Sequence, residues 1–311
     1  MRIVFMGTTD FAVPILFGLA ERHQVVLVVT QPDKPVGRKK ILKPSSVKIC
    51  AGSLSIPVFQ PESIKKDYSP ILDANAELIV VAAYGQMIPR EVLYYPKYKS
   101  INVHASLLPK YRGGAPMQRA IMAGEEKTGV TVMYMAPKMD SGPILAQDSL
   151  TILPEDNLET IEGKLAIKGK NLLLRTLDKL VMGEIEAKPQ DEEEATYGYN
   201  IRPEEERIDF HDTAVRVRDK IRALYPRPIA HALINGQKLK ILKATALDTN
   251  EFVPAEAGEI VHADKEKVLV STSQGLVSLQ KVQLEGRNAM SIQTFMNGIG
   301  RTLLVKGRKF K

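Results

Sequence analysis

The opening stretch MRIVFMGTTDFAVPILFGLAERHQVVLVVT, residues 1–30, holds two short apolar runs separated by a segment of helical spacing. Residues 2–6 and 24–30 are rich in valine, isoleucine and leucine, are too short for core helices, and read as buried strands. Gly7-Thr8-Thr9-Asp10 turns the chain between the first strand and the amphipathic segment. The order is β-α-β, and two strands joined by such a crossover lie parallel. An α/β domain with a mostly parallel sheet is therefore expected.

Further strands are expected over 78–82, 100–104, 129–135 and 144–152, and Pro116 suits the first turn of a helix running to Ala123. The β-α-β start invites a dinucleotide reading. The turn MGTTDF lacks the G-x-G-x-x-G spacing, however, and only Gly7 could admit a phosphate closely, so a nicotinamide or flavin dinucleotide is not expected. No P-loop spacing is present either.

A long helix is expected over 157–182, capped by Asp156 or Asn157, with Ile161, Leu165, Ile167, Leu172 and Leu177 as its apolar positions. Residues 187–206 carry seven acids and two bases, few apolar side chains, and Tyr197 and Tyr199. They read as a linker with a surface-facing part. From Arg207 the pattern changes. TAVRVRDKIRAL reads as a helix, and short strands with turns at Asn235-Gly236, Ala257-Gly258 and Gln274-Gly275 have the grammar of a small β-barrel.

With 311 residues, 44% of them hydrophobic, the chain can bury two domain cores. No apolar run approaches a membrane span and the first residues read as a strand and turn, so no membrane association and a cytoplasmic location are expected. The single cysteine, Cys50, excludes an intramolecular disulfide and a cysteine-based zinc cluster, and no metal site is expected. The net charge is +7, yet residues 187–206 hold −5, leaving +12 on the rest. A polyanionic partner or simple solubility both accommodate that excess.

Chemistry concentrates in INVHASLLPKYRGGAPMQRAI, residues 101–121, and KMDSGPIL, residues 138–145. In a strand, Asn102 and His104 project from one face because side chains two apart share a side. Asp140 falls in a turn expected to be mobile at Ser141 and Gly142. Taken singly, a histidine ending a strand is usually a satisfied core residue and Asp-Ser-Gly is usually a turn. Together the three side chains suit acyl-type chemistry.

This pattern resembles the folate-dependent formyltransferases. The resemblance runs through RIVFMGTTDFAVP, QPDKPVGRKKILKPSSVK, VAAYGQMIP, RPEEERIDF, RALYPRPIAHA and QLEGRNAMSIQTFMNG, nearly the whole chain. It implies a Rossmann-like catalytic domain over 1–188, a linker over 189–206 and an OB-like β-barrel domain over 207–311 that binds tRNA. It implies transfer of formyl from 10-formyltetrahydrofolate to the methionine α-amine of initiator methionyl-tRNA. Asn102, His104 and Asp140 would be catalytic. Ser106, Leu107, Leu108 and Pro109, with Tyr84, Gly85 and Gln86, would contact folate.

Residues 31–48 hold six bases and one acid, and the resemblance makes them a tRNA contact through Arg38, Lys39, Lys40 and Lys43. The tail RTLLVKGRKFK adds five bases, which suit RNA or solubility. One departure stands out: where the family commonly carries a tryptophan, this chain has Arg227, a change expected to bear on packing of the second domain. A monomer is expected. The catalytic motif alone leaves open a sugar-nucleotide amine as acceptor, water as acceptor, and an RNA-binding module without activity.

Overall fold

A computed structural model describes residues 1–36, 41–247 and 255–311. The chain splits into two compact units. The first comprises Met1–Pro116, Lys127–Thr151 and Glu162–Tyr199, and the second Met117–Glu126, Ile152–Ile161 and Asn200–Lys311. Residues 189–199, expected to be linker, are thus contact-rich members of the first unit. Backbone pairing explains this: Lys188 bridges Ile144, and Tyr197 bridges Arg112. The second unit likewise gathers earlier pieces, because Arg222 donates to the carbonyls of Leu153 and Asp156, and Arg119 pairs with Glu205.

In the first unit the strands are β1 (Arg2–Gly7), β2 (Gln24–Val29), the hairpin pair β3 (Lys34–Val36) and β4 (Ile41–Lys43), β5 (Val58–Phe59), β6 (Leu78–Ala82), β7 (Ser100–His104), β8 (Lys127–Tyr134) and β9 (Ile144–Thr151). Seven of them form one sheet in the order β5-β2-β1-β6-β7-β8-β9. The pairings from β5 to β7 are parallel, and β8 and β9 add antiparallel strands at one side. β6 and β7 are buried along their whole length; β6, LIVVA, is the continuous apolar run of a parallel sheet, whereas β7, SINVH, buries Ser100, Asn102 and His104 between its apolar residues.

Alternation sorts the side chains. Val4, Met6, Leu27, Val29, Ile79 and Val81 share a core with Ile64, Ile71, Val92 and Leu93. Two helices, α1 (Val13–Arg22) and the long helix Leu158–Met182, pass close together at Gly18, where an added Cβ would lie 2.7 Å from the Lys170 side chain. Gly169 comes against Val103 of β7, with 3.0 Å left for a Cβ. Asn157 accepts from the Thr160 backbone N–H at 3.0 Å, the expected cap of the long helix.

The second unit is built on β10 (His231–Ile234), β11 (Gln237–Leu247), β12 (Ile260–Ala263), β13 (Val268–Ser271), β14 (Leu276–Leu284) and β15 (Met290–Ser291). These make an antiparallel sheet in the order β10-β11-β14-β13-β12, with β15 on β14, the OB-like half of the expected architecture. Asn235 and Gly236, with φ of 51° and 75°, form the two-residue turn between β10 and β11. Register shifts at 241–244 bend β11 against β14. The helix Ala214–Ala223, capped by Thr213, lays Val217 and Ile221 into this core. Arg227 is exposed, so the departure from tryptophan falls outside that core. Among the described residues no helix is long and apolar enough to cross a membrane.

Candidate active site

The expected site residues gather at the carboxyl ends of the parallel strands. Strand order reverses between β1 and β6, and ligands of open α/β sheets bind in the crevice at such a switch point. Gly7 ends β1 there, and a Cβ on it would sit 2.9 Å from the Ala82 carbonyl oxygen, so no side chain fits. Thr8 Oγ1 donates to the Tyr84 carbonyl at 2.9 Å and Gln31 Nε2 donates to the same oxygen at 3.2 Å. Tyr84-Gly85 is therefore tied to the ends of β1 and β2. Gly85 has φ of 87°, and a Cβ on it would lie 2.9 Å from Gln31 Nε2.

Tyr84 is 2% exposed, its hydroxyl finds no hydrogen-bond partner among the described residues, and burial pushes its pKa up to about 12. It stays a neutral phenol with an unspent donor. Gln86 is differently placed. Its Oε1 accepts from the Ile64 N–H at 2.9 Å and its Nε2 reaches the Pro61 carbonyl at 3.4 Å, which fixes the 61–64 segment.

Asn102 lies in β7 between Val81 of β6 and Met133 of β8, and His104 lies opposite Thr131. Both are nearly buried, and the Asn102 amide makes no hydrogen bond among the described residues, leaving its donors and acceptor for a ligand. His104 Nε2 is 3.0 Å from the Tyr111 carbonyl oxygen. A carbonyl only accepts, so Nε2 carries the proton. Neutral His104 then presents the Nδ1 lone pair toward Asp140, whose Oδ2 is 3.7 Å away. That separation exceeds a hydrogen bond but suits an ion pair once Nδ1 takes a proton.

Asp140 has φ of 48°, and its Oδ2 accepts from the Gly113 N–H at 2.8 Å. The turn expected to be mobile is bonded on both sides. Gly142 answers to crowding, since a Cβ on it would fall 1.8 Å from the Tyr134 carbonyl oxygen. Beneath the turn, Gln190 Nε2 donates to the carbonyls of Asp140 and Gly142, each at 2.8 Å. Gln190 Oε1 accepts from Arg112 Nε and Nη2 at 3.0 and 2.8 Å. Arg112 is fully buried and its other edge pairs with Glu192 at 2.9 Å. Burial works against the guanidinium charge, but hydrogen bonding and charge from Glu192, and then from Tyr197, outweigh it and raise the pKa. Hydrogen bonds from Arg112 and Lys138 hold Glu192 down at about 2.

In the run after His104, Ser106 Oγ donates to the Lys110 carbonyl at 2.6 Å, so its hydroxyl braces its own loop. Leu108 is buried, while Leu107 and Pro109 are part-exposed apolar walls. Thr131 Oγ1 accepts from the Leu108 N–H and donates to the Ser106 carbonyl, and Gln147 Nε2 reaches the Leu108 carbonyl at 2.8 Å. Thr131, Gln147, Arg112 and Gln190 escaped the sequence reading. An alternating strand hides the first two, and nothing local marks an arginine whose partners lie 78 and 80 residues away.

The basic segment forms a hairpin, with Lys34 opposite Lys43 and Val36 opposite Ile41. Lys43 is exposed. Arg38, Lys39 and Lys40 lie outside the described residues.

The family model described as formyl transferase matches residues 1–177, and that described as formyl transferase, C-terminal domain, matches residues 200–300. A methionyl-tRNA formyltransferase of Streptococcus thermophilus is 43% identical over 308 residues, covering 98% of this chain and 97% of the relative. One from Staphylococcus epidermidis is 42% identical, covering 98% of each chain. Among solved structures, the sugar 3N-formyl transferase WlaRD is 20% identical with a TM-score of 0.66, covering 93% of this chain and 99% of its own. A methionyl-tRNA formyltransferase from Clostridium thermocellum is 17% identical with a TM-score of 0.57, covering 81% and 96%. These two likenesses concern the fold. On the family matches and the full-length identity, the chain belongs to the formyl transferase family.

Proposed function

We propose that this chain transfers the formyl group of 10-formyltetrahydrofolate to the α-amine of methionine esterified to initiator tRNA. The observation that carries the chemistry is the Asn102, His104, Asp140 arrangement: an amide with no hydrogen-bond partner among the described residues beside an imidazole whose Nε2 is committed and whose Nδ1 faces a carboxylate. The observation that selects the acceptor is the likeness to methionyl-tRNA formyltransferases across 98% of the chain. The crevice suits a folate: the part-exposed Leu107 and Pro109 supply apolar surface, and the Asn102 amide supplies polar groups that meet no hydrogen-bond partner among the described residues.

The attacking amine must be neutral. With an ordinary α-amine pKa of about 7.7–8.0, a useful fraction already is at neutral pH, so the enzyme need not generate a strong nucleophile. The amine nitrogen bonds to the formyl carbon, whose oxygen gains negative charge. Asn102 Nδ2 donates to that oxygen, a role worth roughly 3 kcal/mol for single donors in acyl transfer. The amine then loses a proton, the C–N10 bond breaks, and N10 takes a proton. His104 Nδ1 receives and returns protons with Asp140 stabilising the imidazolium, a contribution of about a hundred- to ten-thousand-fold for placed acid–base groups. No enzyme-bound acyl group is needed.

The first unit, which takes in residues 189–199, carries the transfer and residues 207–311 bind RNA, assisted by the basic segment 31–48 with Arg38, Lys39, Lys40 and Lys43. The enzyme works as a cytoplasmic monomer. The test is transfer of labelled formyl to methionyl initiator tRNA, beside methionyl elongator tRNA and a sugar-nucleotide amine. Selective labelling of the initiator is expected, and labelling of the sugar amine alone overturns the acceptor. His104→Ala is expected to remove about 99% or more of turnover while leaving tRNA affinity unchanged. Full activity in that variant takes His104 out of the mechanism.

A further inference from the structure

We infer that Gln190, held by Arg112, is a positioning residue that sets the Asp140 carboxylate against His104. The inference rests on the reading of Asp140 and His104 as the groups that handle the proton of the amine.

Asp140 has few ways to be held. Its backbone is in the left-handed region at φ of 48°, which is unfavourable for a non-glycine residue and persists only where surroundings enforce it. Two enforcing contacts are present. The Gly113 N–H fixes one carboxylate oxygen, at 2.8 Å. The Gln190 amide fixes the backbone, donating to the carbonyls on either side of Ser141 at 2.8 Å each.

A side-chain amide can do this only if its oxygen is satisfied elsewhere, and here Arg112 supplies two N–H groups to it. That assigns orientation: Oε1 toward the guanidinium, Nε2 toward the turn. Arg112 also precedes Gly113, so one buried residue ties both contacts together. The strap around Gln190 is separately anchored, by the paired bonds of Lys188 with Ile144 and by Ala115 N–H to the Gly198 carbonyl at 2.8 Å. Docking of the strap and clamping of Asp140 are therefore separable.

Gln190→Glu separates them. The shape and the acceptor for Arg112 remain, while both donors to the turn become a carboxylate facing two carbonyl oxygens. Expected is a fall in kcat of about ten- to a hundredfold, with KM for folate and for tRNA within about twofold. In an Asp140→Asn background the same change adds no further loss, because its path is already cut. Amide exchange supplies a readout free of activity: Gly113 exchanges about tenfold faster or more in Gln190→Glu, while Ala115 stays protected. Gln190→Met, which removes the donors without adding charge, gives the same pattern and decides the matter if the glutamate variant does not fold.

Unchanged kcat, an undiminished loss in the Asp140→Asn background, or simultaneous loss of Gly113 and Ala115 protection each overturns the inference. If the parent protein transfers no formyl to methionyl initiator tRNA, the functional reading fails. The Gly113 and Ala115 exchange rates still decide whether Gln190 positions Asp140.

Discussion

Two charged segments of this chain look alike in sequence and behave oppositely in the fold. Residues 187–206 are acidic and residues 31–48 are basic, and both are rich in turn-forming residues. The acidic strap docks through a few of its polar groups, while Asp191, Glu193, Glu194 and Glu204 stay exposed. Gln190 and Glu192 meet Arg112, Thr196 meets Tyr111 and Arg112, and Gly198 exchanges bonds with Arg112 and Ala115. The basic hairpin pairs with itself and leaves Ile41 and Leu42 about two-thirds exposed, at 65% and 67%. Charge density alone does not reveal whether charge is consumed within the molecule or offered to a partner. What separates the two is the presence of counter-groups elsewhere in the chain.

The largest expected effect lies on the strap side. Gly142→Ala forces a methyl to within 1.8 Å of the Tyr134 carbonyl oxygen and displaces the turn seated on Gln190. Loss of at least about 3 kcal/mol is expected, because the obstructing atom is backbone and cannot swing away. Thermal unfolding measures it, and an unchanged Tm would sever the turn from the strap.

On the hairpin side the effect belongs to binding. Lys43→Glu is expected to leave Tm unchanged, weaken tRNA binding and lower the slope of log affinity against log salt by about 1. An unchanged slope would remove the hairpin from the RNA contact and erase the contrast.

The smallest effect concerns pH. Arg112 and Lys138 depress Glu192 from 4.5 to about 2, so its stabilising contribution is full above pH 4.5 and disappears as the pH falls through about 2. The difference in Tm between the parent and Glu192→Gln should accordingly be constant above pH 4.5 and close toward pH 2. A difference that persists at pH 2 would assign it to packing.

The framework of the first unit was legible because its signals are local. A five-residue apolar run marks β6 and an alternating SINVH marks β7, both at their observed bounds, and the helix expected over 157–182 runs from Leu158 to Met182. Asn235-Gly236 announced its own turn by needing positive φ twice. Asn102 and His104 were legible as a pair because the strand period puts them on one face. What stayed hidden depends on distance along the chain. Arg112 reads as part of a basic glycine-rich loop until Gln190 and Glu192 cover it, and Gly142 reads as a flexible turn until Tyr134 is placed against it. The few apolar residues of 189–206 suggested a linker because hydrophobic pattern registers core contacts and is blind to polar docking.

The strap is also a ruler. Lys188 is pinned by its backbone to Ile144, and Gln190, two residues on, reaches the Asp140 turn. As in a strand, shifting the chain by one residue exchanges which side chain faces inward. A single residue inserted between Lys188 and Pro189 would bring Pro189, which has no amide donor, beneath the turn. A single deletion would bring the Asp191 carboxylate there, facing two carbonyl oxygens. Substitutions at exposed strap positions are tolerable on this geometry, whereas a change of length is not. Sequences that share the mechanism should therefore hold this two-residue interval fixed while the acidic residues around it drift.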